Sequence, residues 1–290
     1  MVVKNPGVKR VWLVAAESDA LPKGKVGGVG DVVRDLPIAL AGLGLDVSVI
    51  TPSYGMFHEL PGARLFRKVR VKFARRSWVA RVYSVPVADS PVEQFVIEHP
   101  LLSPEGPGKI YVSDLPGNPF AVDSSKFAFF NAAVAAWVNS SETPPDVLHL
   151  NDWHTGLIPA LRLSSSSDAQ IRKVRMVFTI HNLAYQGLFP AETFRTLGLP
   201  ASLWSIDGVE FHGQLSFMKG GIAGADWITT VSPTYAGEIR TSTFGYGLEG
   251  LLEYRSDHLS GILNGMDCDV WNPATDPYIK RNYDAHTLQY

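Results

Sequence analysis

The stretch from Val11 to Leu43 constrains the fold more than any other part of this 290-residue chain. It opens with an apolar run at residues 11–16 that is typical of a buried strand. It ends with apolar residues three and four positions apart, which is typical of a helix. Between them lies the segment Lys23-Gly-Lys-Val-Gly-Gly-Val-Gly-Asp31. A strand, a glycine-rich turn and a helix in this order predict the first unit of an α/β fold and suit a bound phosphate.

Two features of the glycine-rich loop favour an anion. Gly27, Gly28 and Gly30 let the backbone approach a ligand closely, and the free N–H groups at the helix start carry partial positive charge. Lys25 adds a full positive charge. The loop is not a P-loop, because Val26 follows the lysine, and it does not match the G-x-G-x-x-G dinucleotide fingerprint. The structural alternative is a turn that only lets the helix pack on the strand.

Strand-like and helix-like segments alternate along the rest of the chain. Strand patterns lie at residues 46–51, 147–150, 174–180, 227–231 and 259–263, and helical patterns at residues 127–138 and 155–163. Residues 65–73, 78–87 and 93–98 predict a small antiparallel excursion. The segment 100–119, rich in proline and glycine, is predicted to be a loop. Strands separated by helices predict a Rossmann-like, doubly wound and mostly parallel α/β sheet.

Candidate ligand-binding residues follow four of the predicted strands. They are Lys25, Gly27, Gly28 and Asp31 after the first strand, Asp152, Trp153 and His154 after residues 147–150, His181 and Asn182 after residues 174–180, and Asn264 after the last strand. The carboxyl ends of parallel strands meet at one edge of the sheet, and ligands bind there in doubly wound folds. The sequence therefore predicts a single site that contains all four clusters.

Each of these polar residues also has a structural interpretation. Asp152 alone is best read as a helix N-cap, and His149 as a histidine satisfied within the core. Trp153 can either pack in the core or stack on a sugar or base. A metal site built from His149, His154 and His181 lacks supporting ligand spacing, so we predict no metal. The chain also has no serine or cysteine in a nucleophile elbow, which argues against a hydrolase triad.

Charge and composition exclude several classes of partner. The chain has 26 basic and 28 acidic side chains and a formal net charge of -2. This balance argues against a nucleic acid or an anionic membrane surface as partner. No apolar run approaches the roughly 18 residues of a membrane span. The only cysteine, Cys268, excludes an internal disulfide and fits a reducing compartment, so the prediction is a cytoplasmic protein.

Several blocks of the sequence resemble the glycogen and starch synthases. The segment Lys25–Asp31 resembles the Lys-x-Gly-Gly-Leu signature of that family, with Val26 and Val29 where Thr and Leu are commoner. The resemblance continues, in order, through Asn151–Gly156, His181–Gly187, Phe217–Gly221, Val231–Ala236, Tyr246–Leu251 and Leu263–Pro273. It is weakest between residues 60 and 120.

The resemblance implies a fold and a reaction. The fold would be the N-terminal half of a GT-B fold, with residues 1–275 as the acceptor-side domain, residues 276–290 as the start of the interdomain linker, and the nucleotide-binding C-terminal domain absent. The reaction would transfer glucose from ADP-glucose to the non-reducing end of an α-1,4-glucan with retention. ADP-glucose and the glucan (glycogen or starch) would be the partners, without a separate cofactor. The location would be the cytoplasm, or the plastid in a plant or alga.

Roles for the site residues follow from the same resemblance. Lys25, with the amides of Gly27 and Gly28, would stabilise the leaving diphosphate, and His181 would contact the transferred glucose. Asp152 and Asn264 would hold sugar hydroxyls or order the site. Substrate would also contact Asp31, Trp153, His154 and Asn182, with Asp31 and Trp153 towards the acceptor. The alternative function is a free-standing glucan-binding module without catalysis. A nicotinamide oxidoreductase would need the missing dinucleotide fingerprint.

Overall fold

A computed structural model describes residues 7–111, 123–269 and 271–288. The strands are β1 (Arg10–Val14), β2 (Asp46–Pro52), β3 (Arg64–Phe73), β4 (Arg76–Val85), β5 (Glu93–Glu98), β6 (Val147–Asn151), β7 (Arg175–Ile180), β8 (Leu188–Pro190), β9 (Glu210–Phe211), β10 (Gln214–Ser216), β11 (Trp227–Thr230) and β12 (Leu259–Gly261). The α-helices are α1 (Gly28–Gly42), α2 (Asp123–Asn139), α3 (Leu157–Ser164), α4 (Ala191–Leu197), α5 (Phe217–Gly224), α6 (Pro233–Glu238) and α7 (Glu249–Tyr254).

The described residues contain one large sheet and one small sheet. The large sheet has nine strands in the order β12-β11-β7-β6-β1-β2-β5-β4-β3. Neighbouring strands from β12 to β5 run parallel, and β4 and β3 continue the sheet in antiparallel pairing. This confirms the predicted mostly parallel α/β sheet with an antiparallel excursion. The small antiparallel sheet, β8-β10-β9, was not predicted, because its strands have only two or three residues.

The first strand shows why helices cover both faces of the sheet. Val11 and Leu13 point to one face, where they pack with Val33 of α1. Trp12 and Val14 point to the other face and join the main core, which includes α2. A strand whose successive side chains are all apolar has no face for solvent, so it is stable only between two helical layers. This packing defines a doubly wound fold.

The predicted elements differ from the structure mainly at their ends. Helix α1 begins at Gly28, before the predicted apolar pattern, so the glycine-rich loop runs directly into its first turn. The predicted loop at residues 100–119 starts with a 3-10 turn at Pro100–Leu102, and its residues 112–119 lie outside the described residues. Parallel pairing of β1, β6, β7, β11 and β12 brings their carboxyl ends, and the loops that follow them, to one edge.

Candidate active site

A cleft of about 590 Å³ lies at the carboxyl ends of the parallel strands. Its lining comes from all four predicted polar clusters. The lining residues are Glu17, Val26, Gly27, Gly28, Val29, Tyr111, Asp152, Trp153, His154, His181, Asn182, Tyr185, Val231 and Asn264. The predicted convergence of these loops at one edge is therefore confirmed. Of the predicted site residues, Lys25 and Asp31 lie outside this lining.

The glycine-rich loop is held by a carboxylate that was not among the predicted site residues. Glu17 is 4% exposed, and its Oε2 accepts hydrogen bonds from the backbone N–H groups of Val26 (2.5 Å) and Gly27 (2.8 Å). Its Oε1 accepts one from the hydroxyl of Tyr111 (2.9 Å). In this structure the Gly27 amide already donates to Glu17, and its predicted contact with an anion stays a prediction. Gly28 is the other candidate amide.

We expect Glu17→Ala to destabilise the chain by about 2–3 kcal/mol, because two backbone donors lose a charged acceptor. Urea unfolding would measure this loss. Trypsin should also cleave faster after Lys25, because the loop loses its anchor. The matched control is Glu142→Ala, which removes an exposed carboxylate and should change stability by less than about 0.5 kcal/mol. Equal stability of the two variants would contradict the anchoring role.

The ammonium of Lys25 forms an ion pair inside the loop. Its Nζ donates to Oδ1 of Asp31 at 2.6 Å, and this hydrogen bond raises the pKa of Lys25. Both side chains are 38% exposed, so water screens the pair and a stronger anion can compete for the ammonium. Asp31 lines a neighbouring cavity of about 640 Å³ between α1 on one side and residues 264–267 and Trp271 on the other. The predicted contact of Asp31 with substrate stays a prediction.

Asp152 does not cap the helical turn that follows it. Its backbone has φ 58°, in the left-handed region, and its carboxylate makes no capping hydrogen bond to that turn. Instead Oδ1 accepts from the backbone N–H groups of His181 (2.9 Å) and Asn182 (3.5 Å). The N-cap interpretation is therefore wrong, and Asp152 ties the loop after β6 to the loop after β7. Burial raises its carboxyl pKa to about 7, against the opposing effect of these two amides.

We expect the Asp152 carboxyl to reduce stability as pH rises from about 4 to about 7. The unfolded chain loses this proton near the ordinary pKa of 3.8, whereas the folded chain keeps it until about 7. His149 and His181 act in the opposite sense between about pH 4 and 6.5, because their pKa values are lowered to about 4. We would therefore measure the free energy of unfolding in urea from pH 4 to 8 for the unsubstituted chain and for the Asp152→Asn variant.

Between pH 4 and 7 the unsubstituted chain should lose roughly 2–4 kcal/mol relative to the Asp152→Asn variant, and the difference should then level off. Both proteins share the histidine contribution, so it cancels in the difference. A difference that stays constant across this range would show that Asp152 titrates normally in the folded chain.

The histidines at this edge are uncharged at neutral pH. His181 Nε2 lies 3.0 Å from Oδ1 of Asn151, and desolvation lowers the pKa of His181 to about 4. His149 Nε2 lies 2.6 Å from the hydroxyl of Thr179, which agrees with the predicted satisfied histidine in the strand. His181 can therefore exchange hydrogen bonds with a ligand but does not supply a positive charge.

Trp153 and His154 belong to a buried aromatic cluster beneath the cleft. Trp153 is 1% exposed, and its ring centroid lies 5.3 Å from that of Phe127 and 6.0 Å from that of Phe217. The structure thus shows the packing role of Trp153, while sugar stacking stays a prediction. His154 is also buried, which lowers its pKa, and among the described residues its Nε2 has no hydrogen-bond partner. Because this nitrogen is itself buried, a ligand hydroxyl can bond to it only if the side chains that cover it move.

Two amide side chains complete the cleft. Asn182 is exposed, and its Oδ1 accepts from the backbone N–H of Ala184 at 3.0 Å, which leaves its side-chain NH₂ group facing outward as a donor. Asn264 is exposed and lines both this cleft and the neighbouring cavity. The described residues contain no cluster of three or more His, Cys, Asp or Glu that could hold a metal ion. No helix among them is long and apolar enough to cross a membrane.

Comparison with known proteins agrees with this geometry. Residues 10–254 match the family model described as starch synthase catalytic domain, which is more than half of the chain. The chain belongs to the starch synthase catalytic domain family. The match begins at β1 and ends at α7, so it includes the glycine-rich loop and the clusters that contain Asp152 and His181.

Members of the starch synthase catalytic domain family include close relatives of this chain. It is 43% identical over 286 residues to glycogen synthase 1 of Methylococcus capsulatus, covering 96% of this chain and 55% of that protein. It is 41% identical over 274 residues to the glycogen synthase of Marinobacter nauticus, and the match covers 93% of this chain and 54% of that protein. The chain thus spans about half the length of the curated relatives it matches.

A solved structure shows the same fold. The catalytic domain of starch synthase IV from Arabidopsis thaliana, bound to ADP and acarbose, superposes with a TM-score of 0.81 at 32% identity. The match covers 98% of this chain and 57% of that one. The described sheet is therefore that of a starch synthase GT-B catalytic domain, as the sequence resemblance implied.

Proposed function

We propose that this chain is the acceptor-side half of a glucosyltransferase that lengthens an α-1,4-glucan. The observation that carries the proposal is the lining of the cleft, which is rich in uncharged hydrogen-bonding groups. His181 and His154 are neutral, Asn264 offers an amide, and neither lysine nor arginine belongs to the described lining. The two carboxyl groups in the lining, those of Glu17 and Asp152, accept hydrogen bonds from backbone N–H groups. Such a surface suits a neutral polyhydroxyl ligand. The names of the relatives, glycogen synthase and starch synthase, support the same class of substrate.

We propose ADP-glucose as the donor. The relative solved with ADP supports this choice over UDP-glucose. In the reaction, the bond from the glucose anomeric carbon to the diphosphate oxygen breaks, and its electron pair leaves with ADP. The hydroxyl oxygen at the non-reducing end of the glucan bonds to that carbon with retention, and its proton goes to the departing phosphate oxygen. Lys25 would leave Asp31 and, with the Gly28 amide, stabilise the growing negative charge on the diphosphate.

The remaining residues would bind the two sugars. The carbonyl group of His181 would contact the transferred glucose, where positive charge develops. Asp152 and Asn264 would hold sugar hydroxyls, and the Nε2 of His154, which has no hydrogen-bond partner in the described part of the chain, would accept or donate one more hydrogen bond. Trp153 would act by supporting His154, because their ring centroids lie 4.1 Å apart. Asn182 would contact substrate at the exposed rim of the cleft.

We further propose that a second domain completes the site. Residues 1–275 would form the first domain and residues 276–290 the start of a linker to a nucleotide-binding domain. The relatives support this by their length, because the match covers only about half of each of them. No cofactor would be needed, because ADP-glucose is consumed as a substrate. The protein would act in the cytoplasm, or in the plastid of a plant or alga.

Labelled ADP-glucose and UDP-glucose, supplied separately with glycogen to the protein that includes its second domain, test the proposal. ADP-glucose should label the glycogen, and proton NMR of the early product should show an α-linkage. Calorimetric titration of the present chain with maltopentaose should show binding that competes with glycogen. Glucan binding without transfer in the two-domain protein would instead establish a non-catalytic module, and absence of both would overturn the proposal.

A further inference from the structure

Positive charge is concentrated in one hairpin that does not line the cleft. Eight of the 26 lysines and arginines, and none of the 28 aspartates and glutamates, lie between Arg64 and Val85, in β3, β4 and the turn that joins them. Arg81 pairs with Glu98 at 2.6 Å. In the described part of the chain, the other seven have no carboxylate within ion-pair distance: Arg64, Arg67, Lys68, Arg70, Lys72, Arg75 and Arg76. A chain with net charge -2 thus keeps an unneutralised basic surface.

The hairpin also leaves one strand edge open. Strand β3 is the last strand of the nine-stranded sheet, and within residues 7–111, 123–269 and 271–288 it has a neighbour, β4, on one side only. The turn between them has two residues, both with positive φ, and Phe73 pairs with Arg76 next to it. In such a hairpin the pair that flanks the turn is hydrogen-bonded and the pairs then alternate. Lys68, Arg70 and Lys72 therefore direct their main-chain groups away from β4.

The same three residues carry the outward-facing charges. Val69, Val71 and Phe73 are buried on the face that packs against the main core, so Lys68, Arg70 and Lys72 lie on the opposite face, and all three are exposed. Alternate residues of a strand are about 6.8 Å apart. The cations therefore form a row with a two-residue repeat, directly beside main-chain groups that have no backbone hydrogen-bond partner among the described residues.

We propose that this edge binds an extended acidic segment of a partner protein, which adds to β3 as an antiparallel strand. An acidic residue opposite Lys68, Arg70 or Lys72 would exchange two main-chain hydrogen bonds with it. Its carboxylate would lie on the same face, with Cβ atoms about 5 Å apart, so that charge and hydrogen bonding select the same register.

Lysines on an edge strand also prevent pairing between copies of one protein, and the experiment must separate that role from binding. The probe is a fluorescein-labelled eight-residue peptide in which glutamate alternates with threonine or valine. A second peptide carries N-methyl groups on its glutamates, which removes the N–H groups that would face β3 and leaves the charge unchanged. Fluorescence anisotropy with the full chain should show binding of the first peptide and at least about 30-fold weaker binding of the second.

Charge variants test the location of the bound peptide. The triple substitution Lys68→Glu, Arg70→Glu and Lys72→Glu should weaken binding at least about 30-fold, because each surface pair contributes up to about fivefold and reversal adds repulsion. The control is Lys173→Glu, Arg175→Glu and Lys280→Glu, three exposed cations elsewhere, which should change binding less than threefold. Circular dichroism of both variants confirms that they are folded.

A pair of single substitutions isolates the main-chain contribution. Arg70→Ala removes a charge, whereas Arg70→Pro also removes an N–H group that faces away from β4, where proline is tolerated at an edge. The proline variant should bind the first peptide at least about fivefold more weakly than the alanine variant. Equal binding of the two peptides would mean that any polyanion binds, and no binding at millimolar concentration would mean that the charges only protect the edge. Either result overturns the proposal.

Discussion

Lys25→Ala should lower the turnover number about 100- to 1,000-fold in the protein that includes its second domain. Electrostatic groups that meet charge developing in a transition state typically contribute this much. The proposed leaving group is a diphosphate, and Lys25 is the cation of the glycine-rich loop that can exchange its exposed partner, Asp31, for that anion. Initial rates of glucose transfer from ADP-glucose to glycogen would measure the effect.

Lys23→Ala is the matched control for this experiment. Lys23 is exposed in the same loop, and it forms no ion pair with the described residues. This variant should keep more than half of the activity, and both variants should unfold at the same urea concentration as the unsubstituted protein. If Lys25→Ala stays within threefold of the unsubstituted protein, the loop only packs α1 on the sheet, and the proposed role of its ammonium is wrong.

Gly156→Ala should destabilise the chain by about 3–5 kcal/mol, because a side chain here would overlap with main-chain atoms. A Cβ on Gly156 would collide with the carbonyl group of Phe217. Helices α3 and α5 pack closely against each other, and a Cβ on Gly224 would also come within 2.8 Å of Pro159. Neither backbone can move without disturbing the turn that holds Trp153 and His154. Thermal unfolding should show Tm lower by roughly 10 °C.

Gly250→Ala makes the same chemical change, but we expect it to have the opposite effect on stability. Gly250 lies in α7, and a Cβ there would have no atom within 4 Å. Alanine restricts the unfolded chain and favours the helix, so this variant should be more stable by up to about 1 kcal/mol. Equal effects of the two substitutions would show that close packing between α3 and α5 is not required.

Local patterns predicted most of the fold. The continuous apolar run in β1 and the three-and-four spacing in α1 are short-range signals, and both elements form where the patterns lie. Ser232 followed by Pro233 likewise predicts a helix start, and Ser232 caps α6 by accepting from the backbone N–H of Tyr235. The short strands β8 to β10 were missed, because two or three residues are too few to show the two-residue alternation of apolar and polar side chains.

The location of the candidate site was predicted from the sequence, but the contacts within the site were not. Placing polar residues after parallel strands was enough to bring Asp152, His181 and Asn264 to one cleft. The role of Glu17 was missed, although it follows β1 at the same edge and could have been included on that ground. Nothing near Tyr111 in the sequence indicates that its hydroxyl reaches Glu17.

The sequence by itself determined the order of strands and helices, the edge where polar loops gather, and the family. Those properties depend on residues close together in the chain, where hydrophobic period and turn chemistry act. Only the tertiary structure decided which hydrogen-bonding groups of the site already have a partner and which titratable groups are charged. Glu17 and Tyr111 are 94 positions apart, and the burial that raises the pKa of Asp152 comes from many distant segments. Hydrogen-bond partners and desolvation are sums over spatial neighbours, which a linear pattern does not contain.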